Sequence, residues 1–493
     1  MTNFKNYYSY NDILLKPKLS IVESRKEISL NTRITKKNFL KIPLIAANMD
    51  TVTEDSMAIE LAKRGGIGII HRYCSIENQV NMIKKVKRCI NYYISDPICL
   101  NENLTVKNYL DNIENTGIKT VIIVDNNKKF VGIVNKYNIT TLEAINNTQD
   151  YENLRLGDIM SKASYYKTLI YDEYLSIEKN IENLINKMRD YNVNYLPVVS
   201  DQISNKIVGL ITLKDLLFYA NQKNNANIDK EGNLCVGAAI GVNGDYIERA
   251  NELMKANCDI LVIDIAHGHS VLVPPVIRTI KNINPDIQII AGNVATKEGV
   301  KYLAEAGADA IKVNIGAGSI CTTRIMTGCG VPQFSAVLEC SQEAKKYNIP
   351  IIADGGHSGQ IGNMVKALAA GASCCMLGKT FAGTTQSPGQ VLVRDGKKVK
   401  VIRGMAGYIS NINKRRKIDN KDINSFTPEG VEGYIDYRGD VNDIIDQITG
   451  GIRSGLSYCG VKDINGLHNS EIEFCLISDS GKKESNHHGI KLI

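Results

Sequence analysis

A chain of 493 residues exceeds one ordinary domain, and at roughly 150 residues per domain it allows two to four. Hydrophobic residues at 43% and charged residues at 23% describe a globular protein with a sizeable core, and a net charge of +7 without a concentrated block argues against nucleic acid as a partner. No apolar run approaches the roughly 18 residues of a membrane span, the start lacks the apolar core of a signal peptide, and twelve cysteines read as reduced thiols, so the expected setting is cytoplasmic with no membrane partner.

In chain order, residues 42–47 and 67–71 are the first apolar runs without polar alternation, the pattern of parallel strands buried on both faces. From about 92 to 221 the texture changes. Two similar halves, about 92–150 and 151–221, each combine an amphipathic helix, an apolar strand and a Val-Gly turn into a second strand. They read "GIKTVIIVDNNKKFVGIVNKYNI" and "NVNYLPVVSDQISNKIVGLITLKDLL". Such a repeat predicts a separate paired α+β domain inserted into a larger one. The Asn/Lys-rich run 221–232 reads as the return linker. Six further apolar runs follow at 234–240, 259–265, 287–291, 309–314, 349–354 and 373–378. They start 25, 28, 22, 40 and 24 residues apart, the rhythm of βα units. Eight such strands with Gly-rich or polar C-terminal ends predict an α/β TIM (β/α)8 barrel formed by 1–91 and 222–493. The polar run 414–424, inside a segment of about 404–430, reads as a mobile flap.

The 40-residue interval breaks the rhythm and contains "GAGSICTTR", residues 316–324. Gly316 and Gly318 let a loop bend and bring backbone groups to a ligand. Cys321 follows at a strand's C-terminal end, where such barrels keep their chemistry. A thiolate there can attack an electrophilic carbon. Free cysteine is also commonly buried and inert, so position alone leaves both readings open. Asp354, Gly355 and Gly356 after the seventh strand, and Gly378 and Lys379 after the eighth, lie in loops where many barrels hold phosphate on backbone amides. Asp354 can also accept from sugar hydroxyls. Each group alone reads equally well as turn punctuation, but at one barrel end they favour a phosphorylated, ribose-bearing ligand. Asp264 ends the fourth strand and can touch a second substrate. His267 and His269 follow it without a third suitably spaced ligand, so no metal site is expected there. No Gly-x-Gly-x-x-Gly joins a strand to a helix, so any nicotinamide cofactor is expected to bind without a Rossmann unit.

These runs, with "IAANMDTVTE", "ADGG", "IRGMAG" and "PEGVEG", resemble the IMP dehydrogenase/GMP reductase family over almost the whole chain. The insert resembles a pair of cystathionine-β-synthase-type (CBS) regulatory modules. The resemblance implies Cys321 as the nucleophile on purine C2, with Thr323 beside it and Glu429 across the site. It implies Ser319, Asp354, Gly355, Gly356 and Gly378 around the nucleotide's phosphate and ribose, with Gly404 and Met405 toward the base; Lys379 departs from the family, and reads either as a cation pairing with the phosphate or as a solvated surface residue. Asp264, Asn293 and Gly316 would face the dinucleotide. The carbonyls of Gly316, Gly318 and Cys321 resemble a loop for K+ or another monovalent cation, completed by a neighbouring subunit's tail around Glu484 and Ser485. A homotetramer follows, with pairing into octamers left open. In the insert, Thr212 and Asp215 resemble an adenosine-nucleotide contact pair that the equivalent stretch 132–138 lacks. One regulatory nucleotide site is expected, or two if Asn substitutes in the first module, against the alternative of a domain that only mediates assembly.

The two family activities share the Cys adduct and differ afterwards. The dehydrogenase passes hydride to NAD and must then hydrolyse the adduct, which the resemblance assigns to an Arg-Tyr pair on the flap. The reductase expels ammonia and accepts hydride from NADPH. Here the flap reads "AGYISNINKRRKIDNKDINSFT": Arg415 and Arg416 are followed by Lys417, and no Arg-Tyr occurs. An ordinary Arg is protonated near neutral pH and is a poor base. Asn48, "IHRY" at 70–73 and the run from Gly450 to Ser454 also resemble reductases, whereas "IDIAHGHS", "PEGVEG" and the insert resemble dehydrogenases. The expectation is an NADPH-dependent GMP reductase, with IMP dehydrogenase as the alternative and a CBS-based nucleotide sensor as the non-enzymatic one. Retention of Cys321, Thr323 and Glu429 speaks against the last. Three departures stand out: Lys379 where dehydrogenases tend to have Ser, Ile402 where they have Tyr, and Asn314 in place of a Gly.

Overall fold

The computed structural model describes residues 5–89, 93–94, 97–116, 120–145, 149–177, 181–222, 224–407 and 428–485. The apolar runs lack polar alternation because both of their faces are covered. They form β1 (Leu44–Ala46), β2 (Ile67–Ile70), β3 (Gly237–Ile240), β4 (Ile260–Ile263), β5 (Gln288–Val294), β6 (Ala310–Val313), β7 (Ile351–Asp354) and β8 (Cys374–Leu377). All eight are parallel and close into a ring in which β8 pairs with β1 and β2 with β3. Side chains fill the interior: Ile45, Ile67, Ile69, Ile260, Val262, Ile290, Ala310, Ile352, Cys374 and Met376 form one buried cluster. Ile34 and Leu40 join that cluster from a hairpin of Thr32–Arg33 and Phe39–Leu40, so the barrel is a packed core and not a pore.

Several elements outside the ring fix its rim. A three-stranded antiparallel sheet of Leu392–Arg394, Lys397–Arg403 and Glu432–Asp436 carries both bases of the expected flap, whose residues 408–427 lie outside the described residues. The helix Val441–Tyr458 packs closely on Ile361–Ala369: a Cβ at Gly451 would lie 2.5 Å from Ile361 Cγ2, and one at Gly455 2.6 Å from Val365 Cγ1. Of the run Gly450–Ser454, read from sequence as a sign of reaction direction, Gly451 thus has a packing reason of its own, whereas nothing lies within 4 Å of a Cβ at Gly450. Ile13–Leu15 pairs antiparallel with Phe474–Leu476, joining the two ends of the described chain.

The chain divides into two compact units: residues 1–87, 225–229 and 234–493, and residues 88–224 with 230–233. The return linker is therefore not uniformly loose. Asn227 bonds through its backbone N–H to Ala62 O (2.8 Å) and through Nδ2 to Gly66 O (3.0 Å), which builds it into the barrel.

The second unit contains two four-stranded sheets. One has Cys99–Asn101, Thr120–Val124, Phe130–Asn135 and Ser161–Lys162; the other has Tyr93–Ile94, Ile207–Thr212, Tyr195–Val199 and Leu169–Ile170. The repeat is real down to a shared irregularity, a register shift at Ile123/Val124 and again at Val198/Val199. The halves do not separate near residue 150, however. Tyr93–Ile94 pairs into the second sheet and Ser161–Lys162 into the first, so each half lends an edge strand to the other. No helix among the described residues is long and apolar enough to cross a membrane.

Candidate active site

Cys321 follows β6 in a loop shaped by two glycines and one arginine. Gly316 (φ +80°) and Gly330 (φ +158°) leave room for the Arg324 side chain, which a Cβ at either position would strike at 2.4 or 2.6 Å. Arg324 bonds the carbonyls of Ile315 and Val331, tying the two ends of the loop together. The loop is also laced to the flap's bases. Thr322 N–H donates to Glu429 O (2.9 Å), Val431 N–H to Ile320 O (3.0 Å), Glu429 N–H to Ala406 O (3.0 Å) and Gly404 N–H to Val431 O (3.0 Å). Gly404 and Gly430 touch backbone to backbone, where a Cβ on Gly404 would sit 3.0 Å from Gly430 Cα.

This lacing brings together three residues that the sequence separates by up to 108 positions. The Cys321 thiol donates to Thr323 Oγ1 at 3.2 Å, and Thr323 Oγ1 donates to Glu429 Oε2 at 2.8 Å. All three are half-buried. The donors point one way, so a proton leaving sulfur has a path to a carboxylate.

The next strand ends form a charged rosette. Asp354 Oδ2 accepts from Lys312 Nζ on β6 (2.9 Å) and from Asn293 Nδ2 on β5 (2.8 Å). Both donors fall on one oxygen, and Oδ1 is bonded by neither. Gly355 and Gly356 follow with φ of +73° and +76°, left-handed geometry that favours glycine and turns backbone away from the strand. Asp264 at the end of β4 accepts from Arg72 Nε at 2.8 Å. Burial works against the Asp264 charge, but Arg72 and Lys312, with hydrogen bonds from Arg72 and Asn48, hold its carboxyl below the usual carboxylate range. Beside it, burial first and Asp264 second push the Tyr73 phenol upward, so it remains a donor, to Met405 O at 3.0 Å. Arg403, at the flap's first base, pairs with Asp50 Oδ2 at 2.9 Å.

Most of the sequence-predicted residues converge on this mouth. Asn293 is engaged by Asp354 and so stands with the expected nucleotide acid. Gly378 caps the short helix Lys379–Ala382, and Lys379 itself is exposed, as is Ser319. Glu484 and Ser485 end the helix Asp479–Glu484 near the N-terminal segment, where Lys482 pairs with Asp12 at 2.6 Å; within one chain they make no hydrogen bond or ion pair with the Cys321 loop. In the second unit Thr212 bonds Asp215 side chain to side chain and accepts from its N–H at 3.2 Å, the pattern of a helix N-cap. Sequence reasoning gave no role to Lys312, Arg72, Tyr73 or Arg403. Lys312 had a visible signal, as a lone charge in a strand buried on both faces.

Two expected ligands can be tested against these groups. Gly316, Gly318 and Cys321 offer only carbonyl oxygens, suited to a hard monovalent cation; the Gly318 carbonyl already accepts from Cys321 N–H at 3.2 Å and keeps a second lone pair. Asp264, held ionised, can accept from the amide or hydroxyls of a nicotinamide dinucleotide. Both donor sets fit.

Comparison with known proteins agrees with this geometry. The sequence model described as IMP dehydrogenase / GMP reductase domain matches residues 7–488. The chain is 41% identical to an inosine-5'-monophosphate dehydrogenase of Nitrosopumilus maritimus over 99% of this chain and 100% of that one. It is 40% identical to a GMP reductase of Leishmania donovani over 98% and 96%. Among solved structures, a cysteine-to-alanine GMP reductase from Trypanosoma brucei in complex with guanosine 5'-monophosphate superposes with a TM-score of 0.88 at 36% identity, covering 99% of both chains. A closed eight-stranded parallel barrel, a thiol relay on its sixth loop and full-length likeness to both activities together place the chain in the IMP dehydrogenase/GMP reductase family.

Proposed function

We propose that this oxidoreductase converts GMP to IMP and ammonia using NADPH. The observation that carries the direction is the sequence 406–427, which contains no Arg-Tyr pair to activate water for hydrolysis of a covalent adduct.

The relay supplies the first half of the reaction. As Cys321 sulfur attacks purine C2, Thr323 takes the thiol proton and passes its own to Glu429 Oε2. An S–C2 bond forms, and the bond from C2 to the exocyclic nitrogen breaks with its electron pair on nitrogen. The proton held at Glu429 returns through Thr323 to that nitrogen, which leaves as ammonia. NADPH, when bound, supplies the hydride that C2 then receives. The S–C2 bond breaks with its electrons on sulfur, and the resulting thiolate takes a proton from solvent to restore the thiol. Asp354, with Oδ2 fixed by Lys312 and Asn293, presents Oδ1 to ribose hydroxyls, and Gly355, Gly356 and Gly378 offer backbone amides to the phosphate, with Ser319 and Lys379 at its exposed side. Met405 approaches the base, while Asp264 and the Gly316 turn hold the dinucleotide. A monovalent cation on the carbonyls of Gly316, Gly318 and Cys321 would order the loop, completed by a neighbouring subunit's tail in a homotetramer. The second unit is read as a CBS pair that takes a regulatory nucleotide at Thr212 and Asp215.

IMP dehydrogenase is the second reading, because Thr323 with Glu429 behind it is equally able to draw a proton from water. An assay in both directions separates the two. GMP with NADPH should lose absorbance at the reduced-nicotinamide band and release ammonia. NADH formation from IMP and NAD, with no reaction of GMP, would reverse the assignment.

A further inference from the structure

Asn314, the residue immediately after β6, uses both ends of its side-chain amide. Its Oδ1 accepts from Ala317 N–H at 2.8 Å, inside the loop that carries Cys321. Its Nδ2 donates to Asp354 O at 2.6 Å, at the root of the Asp354-Gly355-Gly356 turn, and lies 3.5 Å from where a Cβ on Gly355 would be. Its backbone N–H is spent on Val294 O (3.0 Å), so the residue is itself fixed to β5. One short side chain therefore spans the thiol loop and the nucleotide loop, which otherwise belong to different βα units. A glycine here would leave the Ala317 N–H and the Asp354 carbonyl without these partners.

We propose that Asn314 is a positioning residue, a strut that sets the Cys321 loop and the Asp354–Gly356 turn in register before nucleotide binds. Its Ala317 contact orders the thiol, and its Asp354 contact orders the nucleotide turn. The inference rests on the reading of Cys321 as nucleophile and Asp354 as nucleotide ligand, but not on the direction of the reaction.

The test is alkylation of the free enzyme by iodoacetamide, mapped by peptide mass to Cys321 and normalised to exposed Cys475, alongside nucleotide KM. In N314G, Cys321 should alkylate about tenfold faster and the nucleotide KM should rise about tenfold, each the effect of losing roughly one hydrogen bond. N314D keeps an acceptor for Ala317 N–H but sets a carboxylate against the Asp354 carbonyl. It should alkylate within about twofold of the parent while its KM rises as in N314G, a split that a merely structural role would not produce. A folded N314G with unchanged alkylation and unchanged KM overturns the strut, as does an N314D that moves both readouts together. If N314G does not fold, the N314D split alone decides. Should neither GMP nor IMP protect Cys321 in the parent enzyme, the nucleophile reading fails instead, and the alkylation rate of N314G still tests the strut.

Discussion

The barrel carries ion pairs sheltered from solvent at both ends, and they differ in the donors that complete them. At the floor, Lys87 Nζ reaches Asp229 and Asp259 at 2.8 and 2.7 Å, Asp259 also accepting from Val236 N–H; Lys281 Nζ reaches Asp309 at 2.7 Å, Asp309 also accepting from Ile289 N–H. Asp259 and Asp309 each take a Lys and a backbone N–H on one oxygen, and these pairs hold strand starts and the returning linker in place. At the mouth the donors are side chains: Asp354 accepts from Lys312 and Asn293, and Asp264 from Arg72 on the loop whose Tyr73 holds the flap's base. The same charges thus serve cohesion at one end and, in the proposed function, presentation at the other. In a barrel the floor reads as stability and the mouth as chemistry, and here the two differ in the donor that joins the cation, a backbone N–H at the floor and a side chain at the mouth.

The hardest blow to the mouth is Cys321→Ala. Turnover should fall by at least about 10³-fold in either direction, with nucleotide binding retained. Retained turnover would remove the covalent route.

A paired experiment sharpens the contrast itself. Lys87→Met leaves two half-buried carboxylates without their cation, and should cost up to about 3 kcal/mol of stability with nucleotide KM unchanged. Lys312→Met should raise nucleotide KM by about ten- to a hundredfold, because Asp354 loses its charged anchor. Denaturant unfolding and steady-state kinetics read both, and a KM effect confined to the Lys87 variant would dissolve the distinction.

His357, fully buried after the Gly355-Gly356 turn and stacked on Tyr10 at 5.4 Å, has its pKa lowered to about 4, first by burial. A depressed folded pKa means the unfolded chain takes up the proton first. His357 therefore contributes stability above about pH 6.5, and that contribution is lost as pH falls toward 4, up to about 3 kcal/mol. His357→Asn should flatten the melting-temperature profile in that window; an unchanged slope would assign the loss to other groups. The smallest effect is at Tyr73→Phe, which removes the single bond to Met405 O and should change kcat/KM by a few-fold, about 1 kcal/mol.

The eight strands were legible because strands covered on both faces leave continuous apolar runs, and the thiol loop because it interrupts their spacing. Residues such as Gly355 and Gly356 were legible for the same reason that they occur there, since left-handed backbone favours glycine. The bonds that make the rosette were not. Lys312 to Asp354 spans 42 residues and Arg72 to Asp264 spans 192, and only closure of the ring makes them neighbours. Asn314 looked like an unexplained departure because one of its two partners, Asp354 at the end of β7, lies 40 residues on and becomes a neighbour only through that closure. The repeat in the second unit was visible as two halves, but edge pairing is decided by backbone geometry between segments of similar composition, so the exchange of strands was hidden.

That exchange makes the insert indivisible. Cutting the gene near codon 150 to keep one half would strip Ser161–Lys162 from the sheet it borders, or leave the second sheet without Tyr93–Ile94, exposing raw hydrogen-bonding edges that invite aggregation. Removal or transplantation of this unit therefore leaves no severed sheet edge only when both halves move together.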